Sequence, residues 1–271
     1  MILGLDFVIS KAKKYGIPLI LTLRNNYHDF GGRQPQYMNW AKAAGVPINN
    51  DDDFYTNAVV KGYYKYRFKG VLIGISTITR VSYQDEPTII EWELMNEPCC
   101  QVDYSRKTVN MTPYVKSIDN KHLLSIGMEG LYGHSIPDRK QYIPGYQVST
   151  DFISNHLVRE IDFATIHAYP GIWQVALTWL HDNAQMAFMQ RWMLSHWIDS
   201  NTSVRDSFLN IVYKSIYNFA RNGRTFGGGL VWQILAECLE SYYDGYEIVL
   251  SQNPPTSNVI ALQSNKMTNV G

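Results

Sequence analysis

A carboxylate and an amide stand side by side where an apolar segment ends near the middle of the chain. Residues 88–95 read TIIEWELM and lead directly into Asn96, Glu97 and Pro98. This segment predicts a buried strand, and the proline ends it because proline has no N–H to donate to a sheet. A carboxyl group at the mouth of such a strand is partly removed from water, which suits a general acid/base.

The pairing of Glu97 with Asn96 is typical of a glycosidase acid/base, which works together with a second carboxylate. Asn96 could then hydrogen-bond a sugar hydroxyl next to the scissile bond. The alternatives are that Glu97 caps a helix or forms a salt bridge, and that Asn96 satisfies backbone groups in a tight turn. The apolar strand that precedes them favours the catalytic interpretation. Glu129 also follows a predicted strand and is a candidate for the second carboxylate.

Other polar and aromatic side chains follow predicted strands in the same way. His167 and Tyr169 alternate along a strand end and therefore share a face, where they could position a carboxylate or a sugar hydroxyl. Trp232 ends a glycine-led strand, where its ring could stack on the apolar face of a sugar. Asn25 and Asn26 open the loop after the first predicted strand. A buried core histidine and a core tryptophan are the alternatives for His167 and Trp232.

The elements that must position these residues alternate between strands and helices. One predicted helix ends at Tyr15 and Gly16, and another covers 203–220 with Ser203 as its cap. Short apolar strands between helices indicate parallel βα units, whose active sites form at the carboxyl ends of the strands. The segments predicted as strands are 17–23, 88–95, 122–128, 161–167 and 228–233.

Composition excludes several classes of function. The 271-residue chain has a formal net charge of zero and no block of like charges, so nucleic acid and anionic membranes are not expected partners. No apolar run reaches the ~18 residues that a membrane span needs. Its three cysteines lack metal-ligand spacing, and no zinc-protease, serine-esterase or phosphate-loop motif occurs. We therefore expect no metal and no cofactor.

Four motifs together resemble those of plant endo-β-1,4-mannanases of glycoside hydrolase family 5, along nearly the whole chain. They are WELMNEP at 92–98, IGMEGLYG at 126–133, DFATIHAY at 162–169 and GGLVWQ at 228–233, with DGYEIVLS at 244–251 near the end. The resemblance implies an α/β fold of the (β/α)8 TIM-barrel type and retaining hydrolysis of mannan backbones. It makes a β-mannan polysaccharide the partner and secretion to the cell wall the expected location, although the N-terminus lacks a basic leader.

The resemblance also assigns roles to individual residues. Glu97 becomes the acid/base and Asn96 its substrate-binding neighbour. His167 and Tyr169 line the cleft, with Tyr169 near the nucleophile, and Trp232 forms the platform for a sugar ring. Asn25 and Asn26, at the end of an earlier strand, match a loop at the rim of the substrate groove.

The chain departs from the family pattern in three places. It begins inside the helix that follows the second strand of the barrel, and the helix after Glu97 is short and contains Pro113. Family members carry the nucleophilic glutamate at the end of a seventh strand, between the His-x-Tyr strand and the last tryptophan strand. Residues 171–228 contain no glutamate, and their only carboxylates are Asp182, Asp199 and Asp206.

These departures predict a single truncated barrel domain over residues 1–271 that lacks its first two strands and its seventh. Without a nucleophile the retaining route is closed, so the sequence predicts an inactive relative. Three alternatives remain: a pseudoenzyme that binds mannan without cutting it, an enzyme that recruits Glu129 or Asp199, and a product that does not fold stably.

Overall fold

The computed structural model describes most of the chain and divides it into two compact units. The described residues are 2–25, 34–50, 52–98, 110–128, 133, 135, 137, 151–167, 202–222, 228–243 and 245–270. The units are Met1–Tyr169 and Pro170–Gly271. The assignment of residues 1–271 to a single domain stays a prediction.

The first unit alternates helices with three parallel strands, as the sequence predicts. The strands pair in chain order, β1 with β2 and β2 with β3. A helical connection between consecutive strands allows this parallel pairing, because a tight turn would make them antiparallel. The elements are α1 (Ile2–Tyr15), β1 (Leu19–Thr22), α2 (Gln34–Ala43), α3 (Asp53–Thr56), α4 (Ala58–Leu72), β2 (Ile89–Asn96), α5 (Thr112–Ile118), β3 (Leu123–Gly127) and α6 (Phe152–His156).

Local sequence signals fix the ends of several of these helices. α1 ends at Tyr15 as predicted, because Gly16 takes φ +65°, a left-handed conformation that glycine adopts without strain. Asn57 caps α4 by accepting the backbone N–H groups of Val59 and Val60. α5 is only seven residues long and has Pro113 in its first turn, in agreement with the short helix expected after Glu97.

The two faces of the sheet have different chemistry. On the helix side, Trp92 and Leu94 are buried with Tyr64 of α4 in the main hydrophobic core. Side chains alternate along a strand, so Glu91 and Glu93 lie on the opposite face. Burying a large apolar side chain contributes about 1.5–3 kcal/mol, and the helix side therefore supplies the stability of the sheet. The carboxylates lie on the face that carries the candidate site.

The segment 161–167 follows β3 but is not a regular strand, so the strand predicted there is wrong in detail. It runs beside β3, and the Asp162 N–H donates to the Leu124 carbonyl over 2.9 Å. Hydrogen bonds between the side chains of Asp162 and Thr165 and the backbone of β3 take the place of the regular backbone pairing of a strand. Asp162 Oδ2 accepts the Leu124 N–H at 2.7 Å, and the Thr165 hydroxyl donates to the Ile126 carbonyl at 3.1 Å. The segment is therefore held next to the sheet largely through side chains.

The second unit has a helix pair and a short parallel strand pair. Its elements are α7 (Thr202–Arg221), β4 (Ile234–Leu235), β5 (Ile248–Val249) and α8 (Pro254–Thr268). Phe208, Leu209, Tyr213 and Ile216 of α7 form a second core with Val259 and Ile260 of α8. On the same helix, Arg205 donates to the Glu247 carbonyl and to Asn253. These contacts hold α7 against the loop that leads into α8.

Two predictions for the second unit are wrong. Ser203 lies inside α7, which begins at Thr202, so it is not the N-cap. The strand predicted over 228–233 is displaced to Ile234–Leu235, where Ile248 of β5 pairs with Ile234. Gly229 passes so close to α7 that an added Cβ would lie 3.0 Å from Ile216 Cδ1. Gly229 thus allows close packing on the helix and takes no part in a sheet ladder.

No helix of the described part of the chain is both long enough and apolar enough to cross a bilayer.

Candidate active site

Backbone hydrogen bonds bring the ends of the three parallel strands together at the Asn96–Glu97 motif. The Asn96 N–H donates to the Arg24 carbonyl at 2.8 Å, and the Asn96 amide group lies 3.5 Å from Asn25 Oδ1. The Glu97 N–H donates to the Gly127 carbonyl at 2.6 Å. β2 is therefore held at its carboxyl end by both neighbours, as expected for residues that a barrel uses for chemistry.

Glu97 is paired with His167. The distance between His167 Nδ1 and Glu97 Oε1 is 2.6 Å, and the two side chains are 19% and 7% exposed. The imidazole donates when Glu97 is ionised, and the carboxyl group donates when it is protonated. The pair can therefore hold one proton in either of two places, which is what a residue acting first as acid and then as base requires.

The backbone of Glu97 is in a strained conformation. Its φ is +50°, in the left-handed region that non-glycine residues rarely adopt. The register between β2 and β3 shifts between Glu93 and Asn96, so β2 has one residue more than β3 over this stretch. Such bulges redirect a side chain next to a site, and backbone strain of this kind costs about 1–3 kcal/mol. The pair with His167 and the bond to Gly127 hold Glu97 in this conformation.

A second carboxylate, Glu93, lies on the site face of the same strand. It is 8% exposed, and the Thr22 hydroxyl of β1 donates to its Oε1 at 2.7 Å. On the other side it fills the space above Gly127, where an added Cβ would lie 2.4 Å from Glu93 Oε2. Burial raises the pKa of Glu93, and the nearby charge of Glu97 raises it further, whereas Thr22 and His167 act in the opposite direction.

Glu91 continues this row of carboxylates away from the strand end. It is 1% exposed and accepts a short hydrogen bond from the Ser125 hydroxyl of β3. Burial raises the pKa of Glu91 from 4.5 to about 7, against the effect of that hydrogen bond. The charges of Glu93 and Asp162 add to the increase. The face of β2 that carries the candidate site therefore contains two buried carboxyl groups, Glu91 and Glu93.

The structure brings together four of the residues predicted from the sequence, namely Glu97, Asn96, His167 and Asn25. Trp232 lies in the second unit, just before β4, with 43% of its surface exposed. The remaining predictions concern residues outside the described part of the chain, namely Asn26, Glu129, Tyr169, Asp182 and Asp199.

Of the three aspartates in residues 171–228, Asp206 is described, and its contacts are structural. It lies on α7, and the Thr256 hydroxyl of α8 donates to its Oδ1 at 2.5 Å. Thr256 is fully buried, so this bond fastens the two helices together. Among the described residues, no group of three or more histidine, cysteine, aspartate or glutamate side chains could hold a metal ion.

The sequence interpretation missed Glu93 as a residue of the site. The signal was present, because Glu91 and Glu93 alternate with Trp92 and Leu94 in a segment that otherwise reads as buried. Alternation of this kind predicts a strand with one apolar and one polar face.

Comparisons with known proteins agree with one another. A family model described as GH family 5 beta-mannosidase-like matches residues 1–187. Mannan endo-1,4-β-mannosidase 5 of Solanum lycopersicum is 53% identical over 292 aligned positions, which cover 98% of this chain and 70% of that protein. Mannan endo-1,4-β-mannosidase 1 of Oryza sativa subsp. japonica is 46% identical, with coverage of 97% and 67%.

Solved structures of mannanases share the fold. The endo-1,4-β-mannanase of Rhizomucor miehei superposes with a TM-score of 0.73 at 26% identity, covering 98% of this chain and 76% of that one. The endo-β-1,4-mannanase of Thermotoga petrophila gives a TM-score of 0.72 at 25% identity, covering 99% and 62%. The fold is thus that of the (β/α)8-barrel glycosidases. Within that class, the chain belongs to glycoside hydrolase family 5 and to its β-mannosidase-like group.

Proposed function

We propose that the chain binds β-1,4-mannan through the Glu97 cleft, and that it does not hydrolyse the polymer by the family's retaining route. The observation that supports a mannan cleft most strongly is the Glu97–His167 pair at the carboxyl ends of neighbouring strands, 2.6 Å apart. Relatives that are identical at about half of the aligned positions are named mannan endo-1,4-β-mannosidases. The same proposal places the protein in the cell wall, where its polysaccharide would be found.

Each predicted site residue has a role in this proposal. Glu97 occupies the acid/base position and would hydrogen-bond the glycosidic oxygen of the bound polymer, and His167 would hold its carboxyl group in place. Asn96 would bind a hydroxyl of the sugar next to the scissile bond. Tyr169 would line the same cleft, and Trp232 would stack on a sugar ring.

In this proposal the chain lacks the second carboxyl group of the reaction, the nucleophile. A retaining glycosidase needs a second carboxyl group about 5–5.5 Å from the first, as nucleophile. Residues 171–228 contain no glutamate, and Asp206 is bonded to Thr256. Glu93 is buried between Thr22 and Gly127 on the same strand as Glu97, so it does not face Glu97 across a cleft.

The alignments support a loss of internal sequence. The alignment with the first tomato relative extends over 292 positions, more than the 271 residues of this chain, so the relative has residues within the aligned region that this chain lacks. The family model also stops at residue 187, before the segment in which the seventh strand is expected. An incomplete barrel without its nucleophile strand would account for both observations.

Binding and hydrolysis can be separated with purified protein. We expect retention on insoluble mannan but not on xylan, and no release of reducing ends from mannan by wild type or by Glu97→Gln. Trp232→Ala should weaken retention roughly two- to tenfold, because a stacked aromatic ring contributes about 0.5–1.5 kcal/mol beyond its buried area.

Three results would reject the proposal. Release of reducing ends that Glu97→Gln abolishes would show an active hydrolase that recruits another carboxylate, such as Glu129 or Asp199. Absence of mannan binding by protein that melts cooperatively would show that the cleft is not functional. A non-cooperative melt with strong binding of a hydrophobic dye would instead indicate a product that does not fold stably.

A further inference from the structure

We propose that Glu93 is a positioning residue for the Glu97–His167 pair, holding the strand ends in place and biasing which member of the pair carries the proton. This inference rests on the proposed role of Glu97 as acid/base, but its test uses no mannan. Failure of the test and failure of the proposed function are therefore distinguishable.

The first step concerns how Glu93 is held. The hydroxyl of Thr22 donates to one carboxylate oxygen at 2.7 Å, and the other oxygen lies over Gly127, where a Cβ would come within 2.4 Å. Thr22 pairs with Glu93 in the β1–β2 register, so the hydrogen bond joins directly opposite residues. One carboxylate thus contacts both neighbouring strands.

The second step connects this carboxylate to the site. Gly127 is the residue whose carbonyl accepts the Glu97 N–H at 2.6 Å. A side chain at Gly127 would displace Glu93, and a shift of Gly127 would move the acceptor that holds Glu97. Glu97 has φ +50°, so it depends on such contacts to stay in this conformation. The position of Glu93 and that of Glu97 are therefore coupled through one glycine.

The third step is electrostatic. Glu97 on the same strand and His167 on the neighbouring segment both act on Glu93 through their charges. An interaction between two groups is mutual, so Glu93 also acts on both members of the pair. A negative charge on Glu93 raises the proton affinity of both groups, and the interaction with His167 is the larger of the two, so the proton is biased toward His167.

The other titratable groups of the surroundings do not take this role. Glu91, on the same face of β2, interacts with Glu93 and Asp162, and Asp162 forms a salt bridge with Lys116 at 2.6 Å. β1 and β3 present Thr22, Ser125 and Gly127 to the two glutamates, none of which titrates in this range. Glu91 is therefore a matched control, because it is a buried glutamate on the same strand without the link to His167.

The test is a titration of the His167 ring by NMR in histidine-labelled protein. The chain has seven histidines, and His167→Gln assigns the signal. Glu93→Gln keeps the volume of the side chain and an acceptor for Thr22 but removes the charge. We expect the midpoint of the His167 titration to fall by roughly half a pH unit or more in Glu93→Gln, and to change by less than about 0.2 in Glu91→Gln.

Thr22→Val provides a second variant in case Glu93→Gln does not fold. Loss of the hydroxyl donor makes Glu93 harder to ionise, so the His167 midpoint should fall in the same direction by a smaller amount. An unchanged midpoint in folded Glu93→Gln, judged by near-UV circular dichroism, would overturn the proposal. So would equal shifts in Glu93→Gln and Glu91→Gln, and so would an unchanged midpoint in Thr22→Val where Glu93→Gln does not fold.

Discussion

His167 Nδ1 and Glu97 Oε1 lie 2.6 Å apart, although 70 positions separate these residues in the sequence. Glu97 follows β2, and His167 ends a segment on the other side of β3. The contact between them therefore passes over the carboxyl end of β3. Parallel strands bring residues that are distant in sequence to one edge of the sheet. The pair is therefore a consequence of topology, and its chemistry depends on how firmly the strand ends are held.

Gly127 provides a direct test of that packing. In Gly127→Ala, the new methyl group would come within 2.4 Å of Glu93 Oε2 and 2.7 Å of its Cδ. Glu93 is buried and bonded to Thr22, so its carboxylate cannot move away freely. We expect the free energy of unfolding to fall by about 1–3 kcal/mol, measured by urea denaturation.

Gly62 is the matched control for this substitution. It lies within α4 with nothing inside 4 Å of an added Cβ. Gly62→Ala should therefore stabilise the protein by about 0.5–1 kcal/mol, because alanine loses less backbone entropy on folding into a helix. If the two variants changed stability equally, the close contact between Gly127 and Glu93 would not exist in solution.

Glu91 should make stability depend on pH. Its pKa is raised by burial from 4.5 to about 7, so the folded state holds the proton more tightly than the unfolded state does. The resulting stability is fully present below pH 4.5 and is lost as the pH rises through 7. The total change is on the order of 2–3 kcal/mol.

Comparison with Glu91→Gln isolates this contribution, because all other groups titrate in both proteins. The glutamine keeps an acceptor for Ser125. We expect the difference in unfolding free energy, wild type minus Glu91→Gln, to decrease by about 2–3 kcal/mol between pH 4.5 and pH 8. Two stability curves that run parallel over this range would contradict the assignment.

Arg24 is a buried cation whose removal should stabilise the first unit. It is 2% exposed, its guanidinium lies 3.7 Å from the centre of the Phe54 ring, and burial lowers its pKa. Its Nε and Nη2 have no hydrogen-bond partner among the described residues. Arg24→Met keeps an unbranched, flexible side chain without the charge and should raise the free energy of unfolding by about 1–2 kcal/mol, measured by thermal melts.

Arg24→Lys is the control, since it keeps the cation but loses the flat contact with the ring. We expect this variant to be less stable than wild type in the same thermal melts. A lower melting temperature for Arg24→Met than for wild type would show that the charge has a stabilising partner.

The sequence was sufficient to predict the strand that carries Glu97, because Ile89–Asn96 is long, apolar and ended by a proline. It also placed His167 at the same end of the sheet. Both predictions depend on local composition and on the rule that functional residues of parallel strands lie at the carboxyl ends of the strands. Such rules do not need side-chain geometry.

Features that depend on packing could not be predicted. The bulge between Glu93 and Asn96, and the φ of +50° at Glu97, arise from how three strands fit together. The strand predicted over 228–233 lies instead at Ile234–Leu235, and Gly229 packs on Ile216 of α7, a contact between distant residues. The alternation along β2 placed Glu93 on the polar face of the strand, but sequence periodicity carries no information on its contact with Gly127.

The central claim is that the chain lacks a catalytic nucleophile. Trapping of a covalent glycosyl-enzyme intermediate tests this claim most directly. The chain would be incubated with a 2-deoxy-2-fluoro-β-mannosyl fluoride, which traps the covalent intermediate of a retaining enzyme, and its intact mass would be measured. The endo-1,4-β-mannanase of Rhizomucor miehei serves as the positive control. We predict an unchanged mass for this chain, whereas an increase by one fluoroglycosyl group on a specific aspartate or glutamate would contradict the account.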